Sequence, residues 1–131
     1  MIFVDSGGWV AVTVPDDADH AAAAAWFAQN TQPLLTTDYI VDETLTLLRV
    51  RGQHARARVL AERFLSQQYA RLHLIAEDDF RGAYDIFQRF HDKDWSFTDC
   101  TSYVVMQRLN IKTAFSFDKH FHQFATVAVV P

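Results

Sequence analysis

Four carboxylates in this 131-residue chain stand where the apolar pattern breaks. Asp5 ends the run Ile2-Phe3-Val4, Glu43 follows Leu34-Leu35-Thr36 within about two helical turns, Asp99 opens a helical stretch, and Asp118 closes Thr113-Ala114-Phe115-Ser116-Phe117. Carboxylates brought together repel one another, and some stay protonated at neutral pH unless cations join them. Bound divalent ions reverse that balance. A site offering only oxygen ligands suits a hard ion, Mg²⁺ or Mn²⁺. Such an ion lowers the pKa of a bound water and stabilises charge on a phosphodiester in transfer. No histidine, serine or cysteine is needed as nucleophile.

Each acid also has a plainer reading. Asp99 at the start of a helix stabilises the helix dipole, with Thr98 as the candidate cap. Asp118 can simply start the turn at Lys119. Asp5 is harder to explain that way, because an acid ending a buried strand has little structural purpose. Glu43 falls between Ile40 and Leu47 in the apolar stripe of its helix, whereas Asp42 aligns with Asp38, Thr46 and Arg49 on the polar face. A carboxylate in an apolar stripe is costly without a partner, and a metal ion is one.

The elements that must position these acids alternate along the chain. Short apolar runs predict strands at Ile2–Val4, Leu34–Thr36, Leu72–Ile75, Thr113–Phe117 and Thr126–Val130. Helices are expected from Trp9 to Val14, from an Asp16 or Asp17 cap to about Asn30, and from a Thr37 or Asp38 cap to Arg51, where Gly52 stops the last of them. Others follow at His54–Gln68, Phe80–His91 behind the acidic opening Glu77-Asp78-Asp79, and Asp99–Leu109, with one helical turn at Lys119–Phe121. Strand–helix alternation without a linker predicts one α/β domain over residues 1–131, with a mainly parallel five-stranded sheet covered on both faces. Open parallel sheets bind ligands outside the carboxyl ends of their strands, the edge to which this order sends all four acids.

Half the residues are apolar, which excludes a disordered chain, and a single cysteine, Cys100, excludes an internal disulfide and fits a reducing cytoplasm. The N-terminal run breaks at Asp5 without a basic leader, unlike a signal peptide, and no stretch is apolar enough to span a bilayer. A net charge of −4 looks wrong for a protein of polyanions, but its distribution is uneven. No Lys or Arg occurs before Arg49, and six arginines against Glu62 alone occupy Arg49–Arg71. An acidic site beside a basic rim would have this pattern, with Arg49, Arg51 and Arg56 as candidate RNA-phosphate contacts; a solvated helix face would have it too.

Together, Met1-Ile2-Phe3-Val4-Asp5-Ser6, Thr37-x5-Glu43, Ser96-Phe97-Thr98-Asp99 and Phe115-Ser116-Phe117-Asp118-x-x-Phe121 resemble the PIN domain, especially the VapC-type toxins of toxin–antitoxin pairs. The resemblance spans the whole chain; its strength lies in four acids in the right order at the right element boundaries. It implies a three-layer α/β/α PIN-like fold with strand order 3-2-1-4-5. It further implies Mg²⁺- or Mn²⁺-dependent endonucleolytic cleavage of RNA, with Asp5, Glu43, Asp99 and Asp118 as catalytic and metal-binding residues. Ser6 and Thr98 match supporting hydroxyl positions, and Asp94 falls where some relatives carry an extra acid. A cognate antitoxin and a homodimer are the implied partners. Cys100 stands where many members carry alanine, a small change in a helix.

Other residues are less suggestive. His120-x-His122 places two histidines on different faces of a turn, which argues against zinc, although His120 could touch substrate beside Asp118. Phe87, Phe90, Phe115, Phe117 and Phe121 are expected in the core; Trp9 and Trp95 are expected near the site or a partner surface. A haloacid-dehalogenase-type phosphatase would want an acid where Gly7 stands. A phospho-receiver domain would want paired acids before the first strand's aspartate and a lysine better placed than Lys112 or Lys119. A non-catalytic receiver-like or PIN-derived binding module is the remaining alternative, and the intact acidic quartet argues against it.

Overall fold

The computed structural model describes residues 1–131. Its centre is β1 (Ile2–Val4), whose three side chains are all buried. A strand covered on both faces has no polar side to show, so it reads as a continuous apolar run. After β1 come α1 (Ser6–Thr13), α2 (His20–Gln29), β2 (Leu34–Thr37), α3 (Asp38–Val50), α4 (His54–Leu65) and β3 (Arg71–His73). The chain continues through α5 (Glu77–Arg89), α6 (Phe97–Arg108), β4 (Thr113–Phe115), a 3₁₀ turn (Lys119–Gln123) and β5 (Ala128–Val130). The sheet order is β3-β2-β1-β4-β5, every neighbouring pair is parallel, and helices cover the sheet in a three-layer α/β/α arrangement.

Several boundaries move, each for a local reason. The first helix begins at Ser6 rather than Trp9, because Asp5 caps it through a hydrogen bond from the Gly8 N–H at 2.7 Å. Gly7 and Gly8 therefore lie inside the first turn. A Cβ on Gly8 would stand 2.6 Å from Cδ1 of the buried Phe115, so only glycine lets this turn lie against β4. The second helix begins at His20; neither Asp16 nor Asp17 caps it, and Asp17 instead accepts from the Asp19 N–H. Of the two candidates before α3, Thr37 is the cap, accepting from the Ile40 N–H at 3.1 Å. Asp38 instead takes the Ile75 N–H at 2.9 Å, tying α3 to the loop after β3. The third strand starts at Arg71, not Leu72, and ends at His73; the fourth stops at Phe115, not Phe117; and α4 ends at Leu65 rather than Gln68.

The aromatic residues pack differently from expectation. Trp9 and Trp95 are buried, at 2% and 6% exposure, not displayed on a surface. Each indole N–H has an acceptor, Thr36 Oγ1 at 3.2 Å and Gln123 Oε1 at 2.8 Å, which makes full burial of a tryptophan affordable. Trp9 lies against Phe27 and Phe64, and Trp95 against Phe90, Tyr103 and Phe124. Phe115 and Phe121 are core residues, but Phe87 is exposed, on one face of α5 with Phe80 and Tyr84. No helix is long and apolar enough to cross a membrane.

Candidate active site

The four acids meet in one cleft at the carboxyl edge of the sheet, with a volume of about 190 Å³. Asp5 leaves the end of β1, Glu43 projects from the second turn of α3, Asp99 belongs to the first turn of α6, and Asp118 caps the 3₁₀ turn after β4. Ser6, Asp94, Ser96 and His120 complete the polar lining, over a floor of Ile40 and Phe121. Five carboxylates line this cleft without one lysine or arginine.

Asp5 is 3% exposed, and both its oxygens are held. Oδ1 accepts from the Gly8 N–H and Oδ2 from the Ser116 hydroxyl. The register pairing Val4 with Phe115 sets the next residues, Asp5 and Ser116, side by side. Ser116 Oγ accepts in turn from the Asp118 N–H at 3.0 Å, so one hydroxyl links two acids. Burial pushes the Asp5 pKa up to about 7; the bonds from Ser116 and Gly8 pull the other way, and the charges of Asp118 and Asp99 add to the rise.

Glu43 is half-buried, and its Oε2 accepts from the Ser6 hydroxyl at 2.9 Å. Its pKa is raised first by burial and further by the charges of Asp99, Asp118 and Asp42, against the lowering effect of Ser6. The Asp99 pKa is raised too, mainly by burial and then by Asp118, although the Ser96 N–H and His120 oppose it. Asp118 Oδ1 accepts from the His120 N–H at 2.9 Å. Mutual repulsion thus contributes to the rise at three of the acids, as expected where several carboxylates crowd one cleft.

The residues expected to assist fall unevenly. Ser6 supports Glu43, and Asp94 reaches the cleft from the loop before α6. Thr98 is not the cap of α6 and does not line the cleft; it lies within the helix, where its carbonyl accepts from Thr101 and Ser102. Ser96 takes both roles: its Oγ accepts from the Asp99 N–H at 3.0 Å, and its own N–H donates to Asp99 Oδ2 at 2.9 Å. That reciprocal pair is a capping box, legible as Ser-x-x-Asp. Ser116 was missed; its signal is a hydroxyl two residues before the acid whose N–H it caps.

The arginines lie elsewhere. Helix α3 runs away from the carboxyl edge, so Arg49 is about 9 Å beyond Glu43 along the axis. Arg51 pairs with Asp17 at 3.2 Å, and Arg56 bonds to Gln53 Oε1 at 2.7 Å. None of the three lines the acidic cleft. Cys100, next to Asp99, is buried, and desolvation followed by the Asp99 charge pushes its thiol pKa up to about 11. It is unsuited to act as a nucleophile at neutral pH.

The donor set fits a divalent cation. Carboxylate oxygens predominate, no lysine or arginine neutralises them, and the buried Nδ1 of His120 has no hydrogen-bond partner. Asp99, Asp118 and His120 can bring three ligand atoms within 4.8 Å of one another.

Residues 2–127 match the family model described as the PIN domain. The chain is 33% identical over 131 residues to the 23S rRNA-specific endonuclease VapC20 of Mycobacterium tuberculosis, covering all of this chain and 99% of that one. It is 34% identical over 107 residues to a VapC ribonuclease of Archaeoglobus fulgidus, covering 78% of this chain and 61% of the relative. The crystal structure of M. tuberculosis VapC20, described as a sarcin-ricin-loop-cleaving toxin, superposes with a TM-score of 0.92 at 31% identity and full coverage of both chains. FitAcB from Neisseria gonorrhoeae shares the fold, with a TM-score of 0.71 at 16% identity over 100% of this chain and 97% of that one.

Proposed function

This chain belongs to the PIN-domain family and is of the VapC type, and from that premise we propose that it is a metal-dependent endoribonuclease, the toxin of a toxin–antitoxin pair. The observation that carries the reading is the convergence of Asp5, Glu43, Asp99 and Asp118, from four separate segments, on a cleft without a lysine or arginine. The same four residues are proposed as catalytic and metal-binding.

A divalent ion bound there, Mg²⁺ or Mn²⁺, would supply the positive charge that lowers the pKa of water and stabilises a phosphodiester under attack. The chain's own residues supply orientation. Gly8 and Ser116 hold the Asp5 carboxylate, and Ser96 and Ser116 order the segments carrying Asp99 and Asp118. The Ser6 hydroxyl fixes one oxygen of Glu43 and leaves Oε1 free to take a proton.

The full-length likeness to a 23S rRNA-specific endonuclease makes 23S rRNA the first substrate to try. A cognate antitoxin, a homodimer and a cytoplasmic location belong to the same reading. The apolar groove of Trp9, Val12, Phe27, Val59 and Leu60 and the exposed α5 face support protein partners. The test is incubation of purified, antitoxin-free protein with total RNA and Mg²⁺ or EDTA, followed by mapping of the cut ends. A discrete metal-dependent cut is expected, abolished in Asp5→Asn and in Asp99→Asn. Near-normal cleavage by either folded variant would sink the assignment.

A further inference from the structure

The acidic cleft contains one nitrogen donor. His120 follows Asp118 by two residues on the 3₁₀ turn, and its ring enters the cleft beside the acids. Nδ1 lies 3.3 Å from Asp99 Oδ2 and 3.2 Å from Asp118 Oδ1. Neither approach is aligned as a hydrogen bond, and Nδ1 is a buried side-chain atom without a partner. Buried polar atoms are nearly always paired, because leaving one unpaired costs about 1–3 kcal/mol. A protonated ring would be ion-paired with both carboxylates; on a neutral ring, Nδ1 offers its lone pair to an atom the protein chain does not itself provide.

Donors on adjacent corners of an octahedron with bonds of about 2.1 Å stand about 3 Å apart. The two N···O separations at His120 are close to that spacing. A cation among three donors also explains the poor alignment, since each lone pair then points at the ion and not at the neighbouring ligand. Nitrogen matters for the choice of ion. Mg²⁺ is hard and prefers carboxylates and water, whereas a first-row transition ion such as Mn²⁺ accepts an imidazole more readily.

We propose that Nδ1 of His120 is a direct ligand, with Asp99 and Asp118, of the divalent ion in this cleft, and that it biases the site toward Mn²⁺ over Mg²⁺. The inference rests on the cleft being a metal site. Within it, His120 acts at the ion, and the bias comes from the softer character of its donor atom.

The test uses the full chain stripped of metal and then loaded with Mn²⁺ alone. Pulsed electron paramagnetic resonance of the loaded wild type should show modulation from a directly bound imidazole nitrogen. In His120→Ala that modulation should vanish. Calorimetric titration should then show Mn²⁺ affinity reduced about tenfold or more, with a much smaller loss for Mg²⁺. His120→Asn, which offers an amide oxygen near the position of Nδ1, should recover Mg²⁺ binding without recovering the preference for Mn²⁺. Bound Mn²⁺ without nitrogen modulation in the wild type would overturn the proposal even if neither variant folds. So would equal losses of Mn²⁺ and Mg²⁺ affinity in a folded His120→Ala. Failure of the wild type to bind Mn²⁺ at all would overturn the metal-site reading beneath it.

Discussion

Replacing Asp5 by asparagine should make the metal-free protein more stable at pH 8 while abolishing its RNA cleavage. The carboxyl is 3% exposed, and its pKa in the fold is about 7 against an ordinary 3.8. The folded state therefore binds this proton more tightly than the unfolded chain does. Wild-type stability from this group is greatest below about pH 4, declines as pH rises toward 7, and is level above that. A difference of about three pH units corresponds to about 4 kcal/mol lost at pH 8. Asparagine carries no charge, and its oxygen still accepts from Gly8. It no longer accepts from Ser116, an offset of about 1 kcal/mol.

The net gain is about 3 kcal/mol at pH 8 in EDTA, equivalent to a melting temperature higher by roughly 10 °C. It should shrink to nothing near pH 4, where both side chains are neutral. Urea unfolding of wild type and variant between pH 5 and pH 8 measures this, with an unchanged dependence on urea as the control for a common unfolded state. Adding Mn²⁺ should narrow the gap, because an ion at a hundred times its Kd stabilises the wild type by about 2.7 kcal/mol. A variant no more stable than wild type at pH 8, with the same pH slope, would refute the argument that burial and repulsion strain this carboxylate.

Gly8→Ala should destabilise the protein by about 1–3 kcal/mol in thermal unfolding, because the new methyl meets Phe115 at 2.6 Å and Asp5 Oδ1 at 3.2 Å. Cleavage should fall with it; wild-type stability would show that α1 can retreat. Asp79→Asn should cost about 2–3 kcal/mol, as it leaves Arg108 and His73 without the buried carboxylate that both touch. Burial alone would raise the Asp79 pKa, but the Ala76 N–H, His73 and Arg108 outweigh it and hold the pKa below the ordinary value. The deficit should therefore be complete above about pH 4 and fade as pH falls through the folded pKa, with the Mn²⁺-induced shift in melting unchanged; a deficit independent of pH would count against the ion pair. If RNA extends from the cleft to the arginines of α3 and α4, Arg51→Ala or Arg56→Ala should flatten the fall of RNA affinity with salt. Unchanged slopes in both variants would assign these arginines to contacts such as Arg51–Asp17.

The order of the elements and the four acids were legible in the sequence because both are local. A strand buried on two faces is an apolar run, and the residue that ends it is visible as the first polar one, as at Asp5. Glu43 was legible because helical periodicity places it against Ile40 and Leu47 without reference to any other element. Thr98 was read as the cap of α6 because one hydroxyl before an acid resembles another, and only the backbone conformation at Ser96 distinguishes them.

What the tertiary structure decided depends on register and on the meeting of remote segments. The pairing of Val4 with Phe115 puts Ser116 on Asp5 across 111 residues of chain. Sequence reasoning took Asp5 to have little structural purpose, yet it is both the cap of α1 and a strained, buried acid. The burial of Trp9 and Trp95 required Thr36 and Gln123 as acceptors, and the place of His120 between Asp99 and Asp118 required a turn of the right tightness after β4. Periodicity reports which face of one element is apolar. It carries no information about which side chain of another element will stand opposite, because that is set by sheet register and packing between segments far apart in the chain.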